Sequence, residues 1–566
     1  MSNKLVRSIL LMSVSGFSVA TLAAPLLPAV PSASVLFPQV PTPQSRLKLE
    51  MLPQLRQQMI TKPMTASVKL SEKIAKQKIY ISHVFFIGNT VFSGKKLSNI
   101  VSIQNKTITL GELDAALDRV TAYYHKKGYI LAHAYLPVQT VRDGNIMLRI
   151  VEGQISNVVL ENHSDVLTSS IRAILDSHYK IGKPLNNVAS NRAIMILKGM
   201  PGIGNATASL KPGKTPGTTI VTVTVLPGEN VTGNIGANNY GTRFSGKYQA
   251  NGAVNINNIT HHGDEIGLQG GVSNNDLTDN GRVFWEFPIT NSGLRSGFSL
   301  TQANYEVGDS LSSLGAHGES NAATWYGRYP LYLSPLIQTN FDYSLDHRWS
   351  QDDTDSTGSN IPKKIDAVVL TLSGNAADNL FHTDAVNAWS VANTLGTLSI
   401  QDASQLATDG TTAKTNGQYD KMVFLLSRQQ FLTQQWSLYL SGNGQWSSKN
   451  LDASEQFTLG GPTAVRAYPT GEAGGDEGIY GTVELRDQLR NWLQLTCFYD
   501  DGKVWFNKNP YIVQSNTRVI AGPGVGANIT YKKFTLNTAL AVRDTGPALA
   551  DYDQRPRWWL QMQYNF

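Results

Sequence analysis

The last ten residues read Arg557-Trp558-Trp559-Leu560-Gln561-Met562-Gln563-Tyr564-Asn565-Phe566. Successive side chains of an extended chain point to opposite sides, so Trp558, Leu560, Met562, Tyr564 and Phe566 share one face and Gln561, Gln563 and Asn565 lie on the other. One apolar and one polar face, ending on an aromatic ring, is the pattern of a transmembrane β-barrel strand. Such strands cross a bilayer without any long apolar run.

The same alternation extends back to residue 228, with no convincing helix. In Tyr248–Ile256 the even positions are Tyr, Ala, Gly, Val and Ile; in Phe534–Val542 they are Phe, Leu, Thr, Leu and Val. In Ile337–Leu345 the odd positions are Ile, Thr, Phe, Tyr and Leu, set against Gln, Asn, Asp and Ser. Sixteen such segments can be placed, near 230–240, 248–256, 265–272, 282–289, 294–305, 324–331, 337–347, 364–375, 387–398, 421–428, 436–446, 478–486, 492–504, 518–530, 534–543 and 557–566. Their connections alternate between short (290–293, 332–336, 487–491, 531–533) and long (306–323, 348–363, 399–420, 447–477). Short periplasmic turns and long external loops produce that asymmetry, and an even strand count puts both barrel ends on the periplasmic side. A soluble sandwich also alternates, but sixteen strands would then need two domain cores. The fold class is therefore a transmembrane β-barrel of sixteen antiparallel strands, expected over 228–566.

Upstream of the barrel the chain divides into three zones. Residues 1–23 have the form of a secretory signal: Lys4 and Arg7, a short apolar stretch from Ile9 to Ala20, and small residues before Ala24. Residues 24–78 open with Pro25, Pro28, Pro31, Pro38, Pro41 and Pro43, which prevent a regular helix and predict an extended linker. Helical spacing within it is plausible only over 45–60, where Pro53 interrupts. Residues 79–227 repeat one order twice: strand, helices, strand, strand. Leu113, Leu117, Val120 and Tyr124 mark a helix over 110–127, with Gly128 placed as its C-terminal cap. Two small α/β domains, 79–152 and 153–227, are expected.

Charged residues make up only 16% of the chain and the net charge is +6 without a long basic block, which gives no reason to expect a nucleic-acid partner. Cys497 is the only cysteine, so no intrachain disulfide can form. There is no phosphate loop of the form G-x-x-x-x-G-K-[ST], no H-E-x-x-H and no G-x-S-x-G, so neither an enzyme nor a cofactor is expected. Gly522-Pro523-Gly524-Val525-Gly526 has no helix behind it and fits a crowded barrel strand. Asp352-Asp353-Thr354-Asp355 lacks the glutamate that closes a calcium loop and is expected to be a solvated external loop. His261 and His262 fall in a short turn and, being adjacent, point apart; no metal site is expected.

From Ile79 to Phe566 the chain resembles the two-partner secretion transporters, the exporters of filamentous adhesins and haemolysins. The resemblance is carried first by Ile87-Gly88-Asn89-Thr90-Val91-Phe92, Tyr124, Lys127-Gly128-Tyr129, Pro137, Asp143-Gly144 and Val151-Glu152-Gly153, then by Arg192, Leu197 and Met200-Pro201-Gly202. Both segments look like POTRA (polypeptide-transport-associated) domains. Val465-Arg466-Ala467-Tyr468, with Gly475, Asp476 and Gly478 after it, resembles the family's Val-Arg-Gly-aromatic loop, which folds back into the barrel. Phe498, Asp500 and Gly502 resemble the Phe-x-Asp-x-Gly motif that faces it. Ala467 departs from the family's glycine, and the Pro-rich opening departs from its usual plug helix.

The resemblance implies an outer-membrane transporter that exports a large partner polypeptide of adhesin or haemolysin type, contacts outer-membrane lipid, and is inserted by the barrel-assembly machinery. It also implies that Phe566 serves recognition by that machinery. The alternative is a barrel-assembly insertase of the same superfamily, whose members usually carry three or more POTRA domains. Alternation over 493–502 puts Phe498, Asp500 and Gly502 on the lumen face, and alternation over 483–486 puts Glu484 and Arg486 there too. Arg466 is accordingly expected to reach Asp500 inside the barrel.

Overall fold

The computed structural model describes residues 72–566. The expected signal at 1–23, most of the expected linker, and the segment 45–60 lie outside the described residues.

After a short helix α1 (Glu72–Ala75), strand β1 (Lys78–Ile81) pairs with β3 (Lys106–Thr109). Beside this pair, β2 (His83–Ile87) runs parallel to β5 (Asn145–Val151), and β4 (His133–Tyr135) pairs antiparallel on the far side of β5. Helices α2 (Gly94–Val101) and α3 (Leu110–Lys126) cover this sheet. Thr109 and Glu112 cap each other's backbone N–H groups at the start of α3, and Gly128 follows its end with φ +92°. Leu113, Leu117, Val120 and Tyr124 are buried along one stripe of α3, as their spacing predicts. Neither α2 nor β3 was expected, because Gly94–Thr109 is short and mostly polar and shows no sustained period. Helix α1 lies within the stretch expected to be linker.

The second unit repeats the arrangement. Strand β6 (Gln154–Asn162) is parallel to β8 (Thr218–Pro227), β7 (Ile203–Pro212) is antiparallel to β8, and helices α4 (Thr168–His178) and α5 (Asn187–Lys198) lie between β6 and β7 in sequence. Ile171, Leu175, Leu197, Val221, Val223 and Val225 form the fully buried centre of its core. In both three-stranded sheets the first strand is parallel to the last, which lies in the middle.

Sixteen antiparallel strands then close a barrel. They are β9 (Val231–Asn238), β10 (Gln249–Asn257), β11 (Glu265–Ser273), β12 (Thr278–Pro288), β13 (Arg295–Glu306), β14 (Ala316–Leu333), β15 (Ile337–Thr354) and β16 (Ser359–Asp378). The wall continues with β17 (Ala385–Ile400), β18 (Gly417–Phe431), β19 (Trp436–Ser447), β22 (Glu477–Arg490), β23 (Leu493–Trp505), β24 (Thr517–Tyr531), β25 (Phe534–Ala541) and β26 (Arg557–Asn565). A helix α6 (Ala403–Thr411) sits between β17 and β18, and two short strands, β20 (Phe457–Leu459) and β21 (Ala473–Gly475), sit between β19 and β22.

The outer face carries exposed Leu268, Val283, Phe298, Trp325, Val483 and Val525. Apolar side chains around the whole circumference of a closed sheet call for lipid rather than water outside. Strand β26 closes the barrel on β9, from Gln561 opposite Asn238 to Asn565 opposite Asn234. Above that ladder the Asn239 side chain stands in for backbone: its amide nitrogen donates to Trp558 O at 2.9 Å, and its oxygen accepts from Leu560 N at 2.7 Å.

Two expectations about loops are corrected. Residues 348–363 are not a long loop: β15 runs to Thr354 and β16 starts at Ser359, leaving 355–358 as the hairpin tip. Likewise β14 starts at Ala316, inside the expected loop 306–323. These strand ends are polar on both faces, so the alternation that marks a lipid-facing segment is missing although the ladder continues. Asp352 and Asp353 are therefore strand residues, and Asp352 bonds Lys363 at 3.2 Å rather than standing in solvent.

Trp558, Met562 and Tyr564 on β26 are exposed on the outer face, while Trp559 is buried inside. An arginine on the lipid face costs about 2–4 kcal/mol at the bilayer midplane. Leu560→Arg and Met562→Arg are expected to lower the amount of assembled barrel in the outer membrane, read by heat-modifiable migration. Wild-type amounts of both variants would contradict this register.

Candidate functional site: a loop locked inside the barrel

Between β19 and β22 the chain turns into the barrel. Strands β20 and β21 pair as a hairpin, with Phe457 opposite Gly475 and Leu459 opposite Ala473. Its apolar side chains Phe457, Leu459, Val465, Ala467, Tyr468 and Ala473 form a buried cluster with Phe498, Val504, Ile520 and Ala541 of the barrel wall. The loop is a packed lining of the lumen rather than an external excursion.

Arg466 lies at the centre of this packing. Its Nε donates to Asp500 Oδ2 at 2.8 Å and its Nη2 to Asp500 Oδ1 at 2.7 Å, a two-pronged grip on one carboxylate. The backbone N–H of Arg466 also donates to Asp500 Oδ2, at 3.0 Å. Thr482 Oγ1 donates to Asp500 Oδ1 at 2.6 Å and accepts from Arg466 Nη2 at 3.0 Å. On its other side Arg466 Nη1 lies 2.7 Å from Glu484 Oε1, and Arg486 Nη2 lies 2.6 Å from Glu484 Oε2. Two guanidinium groups thus face two carboxylates in a neutral cluster, and the Arg466 guanidinium lies 3.3 Å from the centroid of the Phe498 ring. The Asp500 side chain is fully buried, which makes its pairing obligatory.

Ala467 keeps a negative φ, so the missing family glycine is met without left-handed backbone. Room for its methyl group comes from the opposite wall, where a Cβ on Gly522 would lie only 2.7 Å from the Ala467 Cβ. Two residues along, a Cβ on Gly524 would lie 2.3 Å from the Phe498 ring. The glycines of 522–526 are therefore the smooth patch that receives the loop and its facing motif.

The rest of the loop is tied to the barrel by three further buried carboxylates: Glu472 and Glu455, which the sequence did not single out, and Asp476, which it did. Glu472 pairs with Arg518 and accepts the backbone N–H groups of Leu549 and Ala550, at 3.0 and 3.1 Å, from the loop between β25 and β26. Tyr468 is fully buried and bonds Thr545 and Gly546 of that same loop, at 2.6 and 2.7 Å. Glu455 is held by Arg348 and Lys421, at 2.9 and 2.6 Å. Asp476 accepts from Leu451 N and Gln456 at 3.0 Å and from Lys508 N at 2.8 Å. Of the residues expected with the loop, Gly475 ends β21, Asp476 is the buried link, and Gly478 is already in the wall strand β22. Phe498 and Asp500 face inward on β23, with Gly502 in the same strand, and exposed Tyr499 and Cys497 face outward.

In the first α/β unit the motif residues converge on Glu152. Its Oε1 accepts from Thr90 N at 2.8 Å, Val91 N at 3.0 Å and Tyr124 OH at 2.8 Å, and its Oε2 accepts from Thr90 Oγ1. Burial and this neighbouring carboxylate push the Tyr124 hydroxyl well above the usual tyrosine range. The carboxylate clamps the turn after β2 to α3, so these positions hold the unit together rather than present a binding surface.

Over residues 217–529 the chain matches the family described as haemolysin secretion/activation protein ShlB/FhaC/HecB, and over 79–153 it matches the ShlB-type POTRA domain. The chain belongs to this family. It is a bacterial outer-membrane transporter that exports a partner protein, not an enzyme. The transporter is 23% identical to the heme/hemopexin transporter protein HuxB of Haemophilus influenzae over 470 residues, 81% of this chain and 82% of that one. It is 22% identical to the outer membrane transporter CdiB of Dickeya dadantii over 510 residues, 85% of this chain and 83% of that one. In fold it is similar to CdiB from Escherichia coli, with a TM-score of 0.74 over 92% of this chain and 98% of that one at 19% identity.

Proposed function

We propose that the transporter's partner is a large adhesin- or cytolysin-type polypeptide, received unfolded by the two α/β units on the periplasmic side and passed through the lumen once the Arg466 loop yields. The observation that carries this reading is the loop itself: a packed, hydrogen-bonded segment lines the lumen of the closed barrel from inside. Reception by strand addition suits small sheets with open edges, because an unfolded chain can extend the backbone ladder of either edge strand. Family membership implies that folding of the partner outside, rather than nucleotide hydrolysis, supplies the drive.

Lipid contacts the apolar outer faces, and Phe566 at the end of β26 is read by the barrel-assembly machinery. The test is export in cells carrying only this chain and one candidate partner, a large secreted polypeptide of adhesin or cytolysin type. Surface display that depends on the chain supports the reading; retention of the partner in the periplasm by cells with assembled barrel refutes it.

Sidedness gives a separate check. Tags inserted at 355–358 or within 401–416 are expected to be labelled on intact cells, and a tag at 290–293 only after the outer membrane is opened. The reverse pattern would invert the topology.

A further inference from the structure

We infer that Arg192 is a positioning residue for export: it fastens the second α/β unit to the periplasmic turns of the barrel, so that a bound partner is presented at the lumen mouth. The inference rests on the proposed receiving role of the two units.

Arg192 lies on α5 and reaches two separate hairpins of the barrel. Its Nη2 donates to Ser292 O at 2.9 Å, in the turn between β12 and β13, and to Pro330 O at 2.6 Å near the end of β14. Its Nη1 lies 3.4 Å from Leu331 O, and its guanidinium lies 5.6 Å from the centroid of the Tyr329 ring. The ladder between β14 and β15 slips at this point, between Pro330 and Tyr332. Such a bulge re-aims backbone groups, and here the carbonyls of Pro330 and Leu331 are available to a donor from the α/β unit. A planar fork with several N–H donors can bridge carbonyls on two hairpins; the single ammonium of a lysine lacks that shape.

The contact is part of a stripe. Arg192, Ile196 and Met200 follow at intervals of four, which places them on one side of α5 and its continuation. Ile196 packs against Gly293, and Met200 against Gly263. The third turn, 258–264, adds its own ties. His261 O accepts from Leu167 N at 2.8 Å, His261 Nδ1 lies 3.0 Å from Asp165 O, and His262 Nδ1 lies 2.9 Å from Ser170 Oγ. The adjacent histidines therefore serve as docking groups for the second unit. Three consecutive periplasmic turns grip one unit, and Arg192 is the group that links two of them.

The test uses full-length transporter with Cys497→Ser, the only native cysteine removed. Arg192→Ala is expected to lower partner export at least about tenfold while leaving the amount of heat-modifiable barrel unchanged, and Arg192→Lys to recover only part of it. A short thiol-to-thiol crosslinker joining Ser170→Cys to His262→Cys is expected to restore export to Arg192→Ala, a rescue that a general folding defect would not show. Three results would each overturn the inference: normal export by Arg192→Ala, no rescue by the crosslink, or arrest of export when the crosslink is made in the presence of Arg192. A variant lacking 79–152 is run in parallel. If it exports normally while Arg192→Ala is impaired and rescued, the docking role stands and the receiving role of the first unit is wrong.

Discussion

Arg466→Ala will reduce export of the partner by more than about tenfold, and Asp500→Ala will do the same, because each leaves an uncompensated charge in a buried site at a cost of about 3–5 kcal/mol. The two variants differ in what they strand. Without the Arg466 side chain, Asp500 keeps only the Thr482 hydroxyl and the backbone N–H of residue 466, both uncharged donors, whereas Glu484 still has Arg486. Without Asp500, Arg466 keeps Glu484 at 2.7 Å. Arg466→Ala is therefore expected to be the more disruptive of the two. The double variant is expected to be no worse than the Arg466→Ala variant, since removing both partners leaves no orphaned charge. Arg466→Lys is not expected to rescue, because one ammonium cannot make the fork to both Asp500 oxygens while also reaching Glu484. Export assays on the four variants, normalised to assembled barrel, check this. Additive defects, or full activity of Arg466→Lys, would contradict the lock.

The second large effect is expected from deleting 79–152. The first α/β unit has its own core, centred on Leu97, Leu113, Val120, Tyr124, Ile146 and Leu148, and shares no strand with the barrel. The barrel closes through β26 on β9 whether or not that unit is present. Export should fall to background while heat-modifiable barrel persists in the outer membrane. Export at the wild-type level would remove the receiving role assigned to the unit.

The sequence was legible where geometry imposes a period. Alternation located all sixteen wall strands because one face is apolar and the other polar, and it put Asp500 and Glu484 on the lumen side. It lost the outer ends of β14, β15 and β16, where mostly polar residues on both faces remove the alternation. Within the lumen loop the resemblance marked Arg466, but periodicity says nothing about an irregular segment, so Glu472 and its hold on Leu549 and Ala550 went unseen. Glu484 was placed inward and yet not recognised as the second partner of Arg466, since an inward direction does not tell which loop group will arrive opposite. The role of Arg192 was hidden for another reason: its partners are backbone carbonyls, which no residue type advertises. An acidic residue among loop glycines, as in Gly471-Glu472-Ala473-Gly474, and a proline near a strand end, such as Pro330, are the signals that could have drawn attention to both places.

The central claim is that the partner travels through the lumen that the Arg466 loop occupies at rest. The direct measurement places a photo-crosslinking residue at positions 494 and 496, on the lumen side of β23, or at 495 and 497, on its lipid side, and arrests a partner in transit with a folded domain fused to its end. The account predicts adducts with the arrested partner from 494 and 496 and none from 495 and 497. Adducts from the lipid-facing positions alone would contradict it.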